Sequence, residues 1–171
     1  KGMPLQAPKA LMKALNRSGI QRVVVGHTPH GDCPTIVKSG GPGITPPYLE
    51  VVMADTSYSD MTAKDNRGGA VSEVVMRSDG TVFVHGILHD GQVIEYTLSA
   101  GVGPATELVG HLEPSAHTAK DENGKKEAYF VKAILKEGGE LLLSHFNGFL
   151  VKYQTISLKE ARSAFGCSTV S

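Results

Sequence analysis

Hydrophobic positions follow a helical period only near the two ends of the chain. Leu11 and Leu15 fall on one face of a helix predicted over 5–18, and a second, shorter helix is predicted over 158–165 with Ser157 as its cap. Most other apolar residues occur in short runs or alternate with polar residues, as they do in strands. The pattern therefore predicts a chain that consists mostly of strands.

The first predicted strand differs from the later ones. Its three successive valines, residues 23–25, show no alternation, which predicts a strand covered on both faces. A helix that leads into such a strand is typical of an α/β sheet. From residue 70 onward, short strands and Gly-containing turns predict antiparallel sheet. The predicted strands are 22–26, 35–38, 49–54, 71–76, 81–86, 92–98, 128–136, 141–146 and 149–156.

The valine-rich strand runs into Gly26, His27, Thr28 and Pro29. In an α/β sheet, ligands bind just beyond the carboxyl ends of the strands. A histidine at this position is held on a rigid element and can point into the crevice, as a metal ligand must. The alternative is a histidine that only ends a strand.

Residues 26–29 resemble the last metal-binding motif of the calcineurin-like metallophosphoesterases. The segment 48–60, which contains Asp55, Thr56 and Ser57, looks like the strand and loop that follow this motif in the family. Residues 65–71 then lead into the next strand, as in the bacterial-type, Shewanella-like branch of the phosphoprotein phosphatases.

The resemblance implies a fold and a domain organisation. The fold is α/β (α+β), with residues 1–100 as the C-terminal half of a metallophosphoesterase β-sandwich flanked by helices. Residues 101–171 are expected to form a mostly antiparallel β extension. The family's other metal motifs, Gly-Asp-x-His, Gly-Asp-x-x-Asp-Arg-Gly and Gly-Asn-His-Glu, do not occur here. We therefore expect the N-terminal half of the same domain to be a partner of this chain.

The resemblance also implies an activity. It is the hydrolysis of phosphomonoesters, with a phosphorylated protein or a small phosphoester as substrate. Two metal ions (manganese, iron or zinc) would activate a water molecule, and His27 is the one ligand that this chain supplies. Pro29, in place of a second histidine, favours the serine/threonine or tyrosine protein phosphatases within the family. The alternative is a non-catalytic subunit that reuses the phosphatase fold for binding or as a scaffold.

Four further residues are candidates for catalysis or substrate binding. His30 could hydrogen-bond a phosphate or protonate a leaving oxygen at the rim of the crevice, or be an ordinary loop histidine. Asp55 could orient His27 or a metal-bound water. Ser57 and Tyr58 could contact a phosphoryl oxygen or the rest of the substrate. Alternatively, this turn only caps its own backbone.

Other polar residues have simpler interpretations. Arg67 is expected at the surface rather than on a phosphate. His85 and His89 flank a turn, and we expect structural or surface roles for them. The spacing from His27 to Cys33 permits a zinc knuckle, but no partner Cys-x2-Cys motif exists in the sequence.

Composition excludes some classes of function. Lys+Arg and Asp+Glu both number 17, so no net positive charge attracts nucleic acid or an anionic membrane. No apolar run approaches the roughly 18 residues of a membrane-spanning helix. The two cysteines, Cys33 and Cys167, lie far apart and predict an intracellular, cytoplasmic protein without a disulfide framework. A nucleotide phosphohydrolase would need an aromatic stacking site, and the sequence, which has no Trp, offers little sign of one.

Overall fold

A computed structural model describes residues 6–40, 48–58, 60, 62–100, 108–111, 129–147 and 150–164. Within these ranges the fold is mixed α+β and consists mostly of strands. The helices are α1 (Lys9–Arg17) and α2 (Leu158–Ala164). The strands are β1 (Arg22–Val25), β2 (Thr35–Ser39), β3 (Leu49–Met53), β4 (Val71–Met76), β5 (Val82–Ile87), β6 (Val93–Leu98), β7 (Phe130–Ile134), β8 (Leu141–Asn147) and β9 (Leu150–Ile156).

The first sheet has the strand order β1-β3-β2, in which β1 is parallel and β2 antiparallel to β3. Arg22, Glu50 and Lys38 are register partners across its three strands. The Glu50 side chain is fully buried, and Arg22 Nε donates to its Oε1. Lys38 Nζ lies 3.7 Å from Glu50 Oε2, which makes an ion pair rather than a hydrogen bond. A buried carboxylate therefore lies between two cations.

Arg22 also connects the first sheet to the second, which has the strand order β4-β5-β6. Its Nη1 donates to Gly80 O and its Nη2 to Ser99 O, both at 2.6 Å. The second sheet and the third, β7-β8-β9, are antiparallel throughout. Gly80 and Gly91 end the two turns of the second sheet with φ of +85°, a conformation that glycine adopts without steric cost.

The three sheets share one core. Lys38 N–H donates to Gly110 O and Gly110 N–H donates to Val131 O, both at 2.8 Å, so residues 108–111 bridge β2 and β7. A single β-bridge between Ile94 and Leu135 joins the second and third sheets. The largest buried apolar cluster includes residues from all three sheets, among them Ile36, Val52, Val84, Ile94, Val131 and Leu143.

The nine predicted strands are confirmed, with ends that differ by at most two residues. Helix α1 begins at Lys9, after Pro8, and residues 6–8 are not helical. The cap of α2 is confirmed as a capping box. Ser157 N–H donates to Glu160 Oε2 at 2.9 Å, and Glu160 N–H donates to Ser157 Oγ at 3.2 Å. The domain boundary at residue 100 stays a prediction.

Within the described residues, the first strand is not covered on both faces as predicted. Val24 is 41% exposed, and Val23 and Val25 are only partly buried. The strand lies at the edge of its sheet, with β3 as its only partner among the described strands, and the described residues leave the face that carries Val24 partly open. A run of β-branched residues identifies a strand, but it does not show what lies on either side of it.

Candidate functional site

Two of the predicted site residues follow the neighbouring ends of β1 and β3. Val25 and Met53 are register partners in this parallel pair, and Ala54 N–H donates to Val25 O at 3.0 Å. His27 and Asp55 each lie two residues beyond these partners. The two loops therefore leave the sheet at the same edge, as the carboxyl ends of parallel strands do.

Each of these loops holds a residue in the left-handed conformation. His27 has a φ of 66° and Ser57 a φ of 56°, and no other non-glycine residue in the described part of the chain has a positive φ. Such conformations cost free energy and persist where surrounding contacts impose them. Ser57 has a local cause, because its N–H donates to Asp55 Oδ1 at 2.7 Å in a self-capping turn. His27 and Tyr58 are exposed.

His30 lies in the interior, not at the rim of a crevice as we predicted. It is 6% exposed, and Lys132 Nζ donates to its backbone carbonyl. The same Nζ donates to Thr35 Oγ1 at 2.5 Å. The predicted position is therefore corrected: the Lys132 amino group, from β7, holds the backbone of His30 in the core. Its predicted contact with phosphate stays untested.

Asp32 is the most extensively bonded side chain of this loop. Its carboxylate is fully buried, and Tyr153 Oη donates to Oδ1 at 2.5 Å. His89 Nδ1 lies 2.5 Å from Oδ2, and His89 N–H donates to the same oxygen at 3.2 Å. Because a carboxylate only accepts, Nδ1 carries the proton, and Nε2 is the nitrogen left for other partners. The His89 side chain is 53% exposed, so the imidazole contacts solvent while the Asp32 carboxylate stays buried.

Gly31 permits the close contact between this loop and β9. It has a φ of +76°, and a β-carbon there would lie 2.2 Å from Tyr153 Oη and 3.1 Å from Val151 Cγ2. Asn66 binds the same part of β9: its Nδ2 donates to Val151 O at 3.0 Å, and its Oδ1 accepts from Val151 N–H at 3.1 Å. The third sheet is therefore joined to two separate loops of the first half of the chain.

Burial controls the ionisation of the groups around Asp32. It raises the pKa of the Cys33 thiol to about 12, so the thiol is protonated at neutral pH and is a poor nucleophile. Burial also raises the pKa of Tyr153, which keeps its hydroxyl a donor. It lowers the pKa of Lys132, although Cys33 and Asp32 oppose this effect. The hydrogen bond to Asp32 raises the pKa of His89, and burial opposes that rise.

No family model, curated protein or solved structure matches this chain. Within the described ranges, no three side chains of His, Cys, Asp or Glu lie where they could hold a metal ion together. Neither α1 nor α2, the helices of the described residues, is long and apolar enough to cross a membrane. Function is therefore inferred from the residues and the geometry of the loop that carries His27.

Sequence reasoning missed the partners of Asp32 as site residues. His89 is 57 residues away and Tyr153 is 121 residues away. No local period or motif relates residues at these distances, because the contact arises only when three sheets pack together. The one local signal is the position of Asp32 between Gly31 and Cys33, directly after the candidate motif.

We expect the His89–Asp32 pair to make the stability of the protein depend on pH. The pKa of His89 is raised above 6.5. The contribution of the His89–Asp32 pair to the free energy of unfolding is therefore fully present below pH 6.5 and is lost as the pH rises through the raised pKa. The free energy of unfolding of the wild type should exceed that of His89→Gln by more at about pH 5.5 than at about pH 8.5. Urea denaturation of both proteins at each pH measures this difference.

Three other charged groups lie near His89. Asp90, on the same turn, also raises its pKa. Residues 65–69 pack against it through Gly69, and the charges of that loop, Asp65 and Arg67, are paired with each other at 2.7 Å. His85→Gln is the control, because His85 makes no ion pair within the described residues. An equal pH dependence in both variants would contradict the prediction.

Proposed function

We propose that this chain is the C-terminal part of a calcineurin-like metallophosphoesterase that hydrolyses phosphomonoesters, as the serine/threonine or tyrosine protein phosphatases do. The proposal depends on His27, which is exposed and left-handed just beyond the carboxyl end of β1. Non-glycine residues held in such conformations cluster at active sites and ligand-binding sites. The motif at 26–29 and the loop that begins at Asp55 support the same location.

The exposed edge of the first sheet supports the proposed β-sandwich. Parallel strands are normally covered on both faces, whereas Val24 of β1 is exposed. Leu11 of α1 and Ile20, just before β1, are exposed as well. We infer that the N-terminal half of the same domain, which lies outside the described residues, packs against these side chains and covers them.

A metal centre in this protein would need ligands from outside the described residues, which hold no group of three donors. His27 fits as one ligand, because it is exposed at a strand end and manganese, iron and zinc all accept imidazole. Two bound metal ions would supply an activated water molecule for attack on phosphorus. Asp55 would then orient His27, and Ser57 and Tyr58 would contact the substrate.

The test uses the full-length protein. We expect elemental analysis to find about two metal ions per chain and an aryl phosphate to be hydrolysed. Loss of a residue that only supports a ligand typically costs about 10–100-fold in metal affinity or activity, so His27→Ala should cost at least about 100-fold. His85→Ala, on β5, is the control and should retain metal and activity.

Two results would contradict this proposal. A folded wild-type protein with neither metal nor turnover would exclude a metallophosphoesterase and favour the scaffold or binding subunit. An active protein in which His27→Ala matches His85→Ala would retain the enzyme but remove His27 from the metal site. Circular dichroism of every variant separates these results from unfolding.

A further inference from the structure

The third sheet holds the loop 26–33 at two points. Lys132, on β7, donates to the His30 carbonyl and to Thr35 Oγ1. Tyr153, on β9, exchanges two hydrogen bonds with Asp32, one to the carboxylate at 2.5 Å and one from the backbone N–H at 3.2 Å. The contacts of Lys132 are buried and those of Tyr153 are partly buried, and hydrogen bonds to charged groups in such surroundings are strong and costly to break.

These contacts fix the conformation of His27 from both sides. On one side, Val25 is paired with β3 and its carbonyl accepts from Ala54 N–H at 3.0 Å. On the other side, the His30 carbonyl is bound by Lys132. Only residues 26–29 connect the two fixed points, and proline at position 29 has a fixed φ. A connection this short leaves few conformations, which accounts for the left-handed φ of His27.

We propose that the third sheet positions the loop that presents His27, with Asp32 as its anchor and Tyr153 and Lys132 as positioning residues. The inference rests on the proposed function, since it assigns to the third sheet a task in the same metal site. These residues do not contact the substrate. They act by holding the backbone on the C-terminal side of His27.

Tyr153, which is partly buried, and Tyr96, which is buried, provide a paired test. Tyr153→Phe removes one hydroxyl that is bonded to Asp32 on both its donor and its acceptor side. Tyr96→Phe removes a buried hydroxyl that has no hydrogen-bond partner within the described residues. Both substitutions delete a single oxygen atom from a strand residue, but only Tyr153→Phe breaks hydrogen bonds.

We expect two measurements on full-length protein to separate these variants. In Tyr153→Phe, hydrogen exchange at the Asp32 amide should become about tenfold faster, because this amide loses its acceptor. The dissociation constant for Mn²⁺ should rise about tenfold, the lower limit for residues that support a ligand. Tyr96→Phe should change neither quantity. Lys132→Met is a second test and should weaken Mn²⁺ binding in the same way.

The results distinguish this inference from the proposed function. Faster exchange in Tyr153→Phe with unchanged Mn²⁺ affinity overturns the inference and leaves the phosphatase function standing. Equal effects of Tyr153→Phe and Tyr96→Phe overturn it as well. A folded wild-type protein that binds no Mn²⁺ overturns the proposed function, and the inference that rests on it fails for that separate reason.

Discussion

Replacing Gly31 with alanine is expected to destabilise the protein by about 2–5 kcal/mol. The φ of +76° costs an L-residue about 1–2 kcal/mol. The new β-carbon would lie 2.2 Å from Tyr153 Oη, so the ring or the loop must move. Overpacking of this kind costs about 1–3 kcal/mol more. Urea denaturation followed by circular dichroism measures the loss.

Gly19→Ala is the matched control for this prediction. Gly19 has a φ of +75°, almost the same as Gly31, but a β-carbon there would meet nothing within 4 Å. Gly19→Ala should therefore be destabilised only by the left-handed conformation of its backbone. Tyr153→Phe removes the closest clashing atom, so in the double variant the two changes should cost less than the sum of their separate effects. If Gly31→Ala cost no more than Gly19→Ala, the loop would not pack against β9 as described.

Replacing Glu50 with glutamine is expected to destabilise the protein by about 3–5 kcal/mol. Glu50 is fully buried on the central strand of the first sheet, with Arg22 and Lys38 as its register partners on either side. Glutamine keeps the shape but removes the negative charge, so Lys38, which is 2% exposed, loses its ion pair with Glu50. Removing one partner of a buried pair is costly because the other charge remains away from water.

Glu95→Gln is the control for the charge itself. Glu95 pairs with Lys136 at 2.9 Å, but both side chains are largely solvent-accessible. Exposed pairs contribute about 0–1 kcal/mol, so this variant should unfold almost as the wild type does. Adding Lys38→Met to Glu50→Gln should recover part of the lost stability, because it removes the buried positive charge. Equal losses in Glu50→Gln and Glu95→Gln would show that burial does not strengthen this interaction.

Strand positions were predictable from the sequence because their signals are local. Residues 78–80 and 89–91 contain Asp-Gly turn signals, and the strands on either side of them lie within one residue of the predicted ends. The exposure of Val24 was not predictable, because it depends on what packs against β1 in the folded protein. Local patterns locate an element, but the neighbours of that element are set by the whole fold.

The candidate site was also predictable from the sequence only in part. The juxtaposition of His27 and Asp55 follows from two adjacent parallel strands, so the sequence pattern could predict it. The burial of His30 could not be predicted, because it depends on Lys132, which is 102 residues away. The sequence motif therefore identified the loop, and the structure adds the contacts that hold it in place.

The distance in sequence between Asp32 and Tyr153 affects the order of events during synthesis. Asp32 is made 121 residues earlier. At about 5–20 residues per second, it waits roughly 6–24 seconds for its hydroxyl partner to be added. Hairpins such as β4–β5 form in about 1–10 microseconds, so the second sheet can be complete long before then. A chain released before β9 is made would carry the His27 motif but lack one of its two anchors.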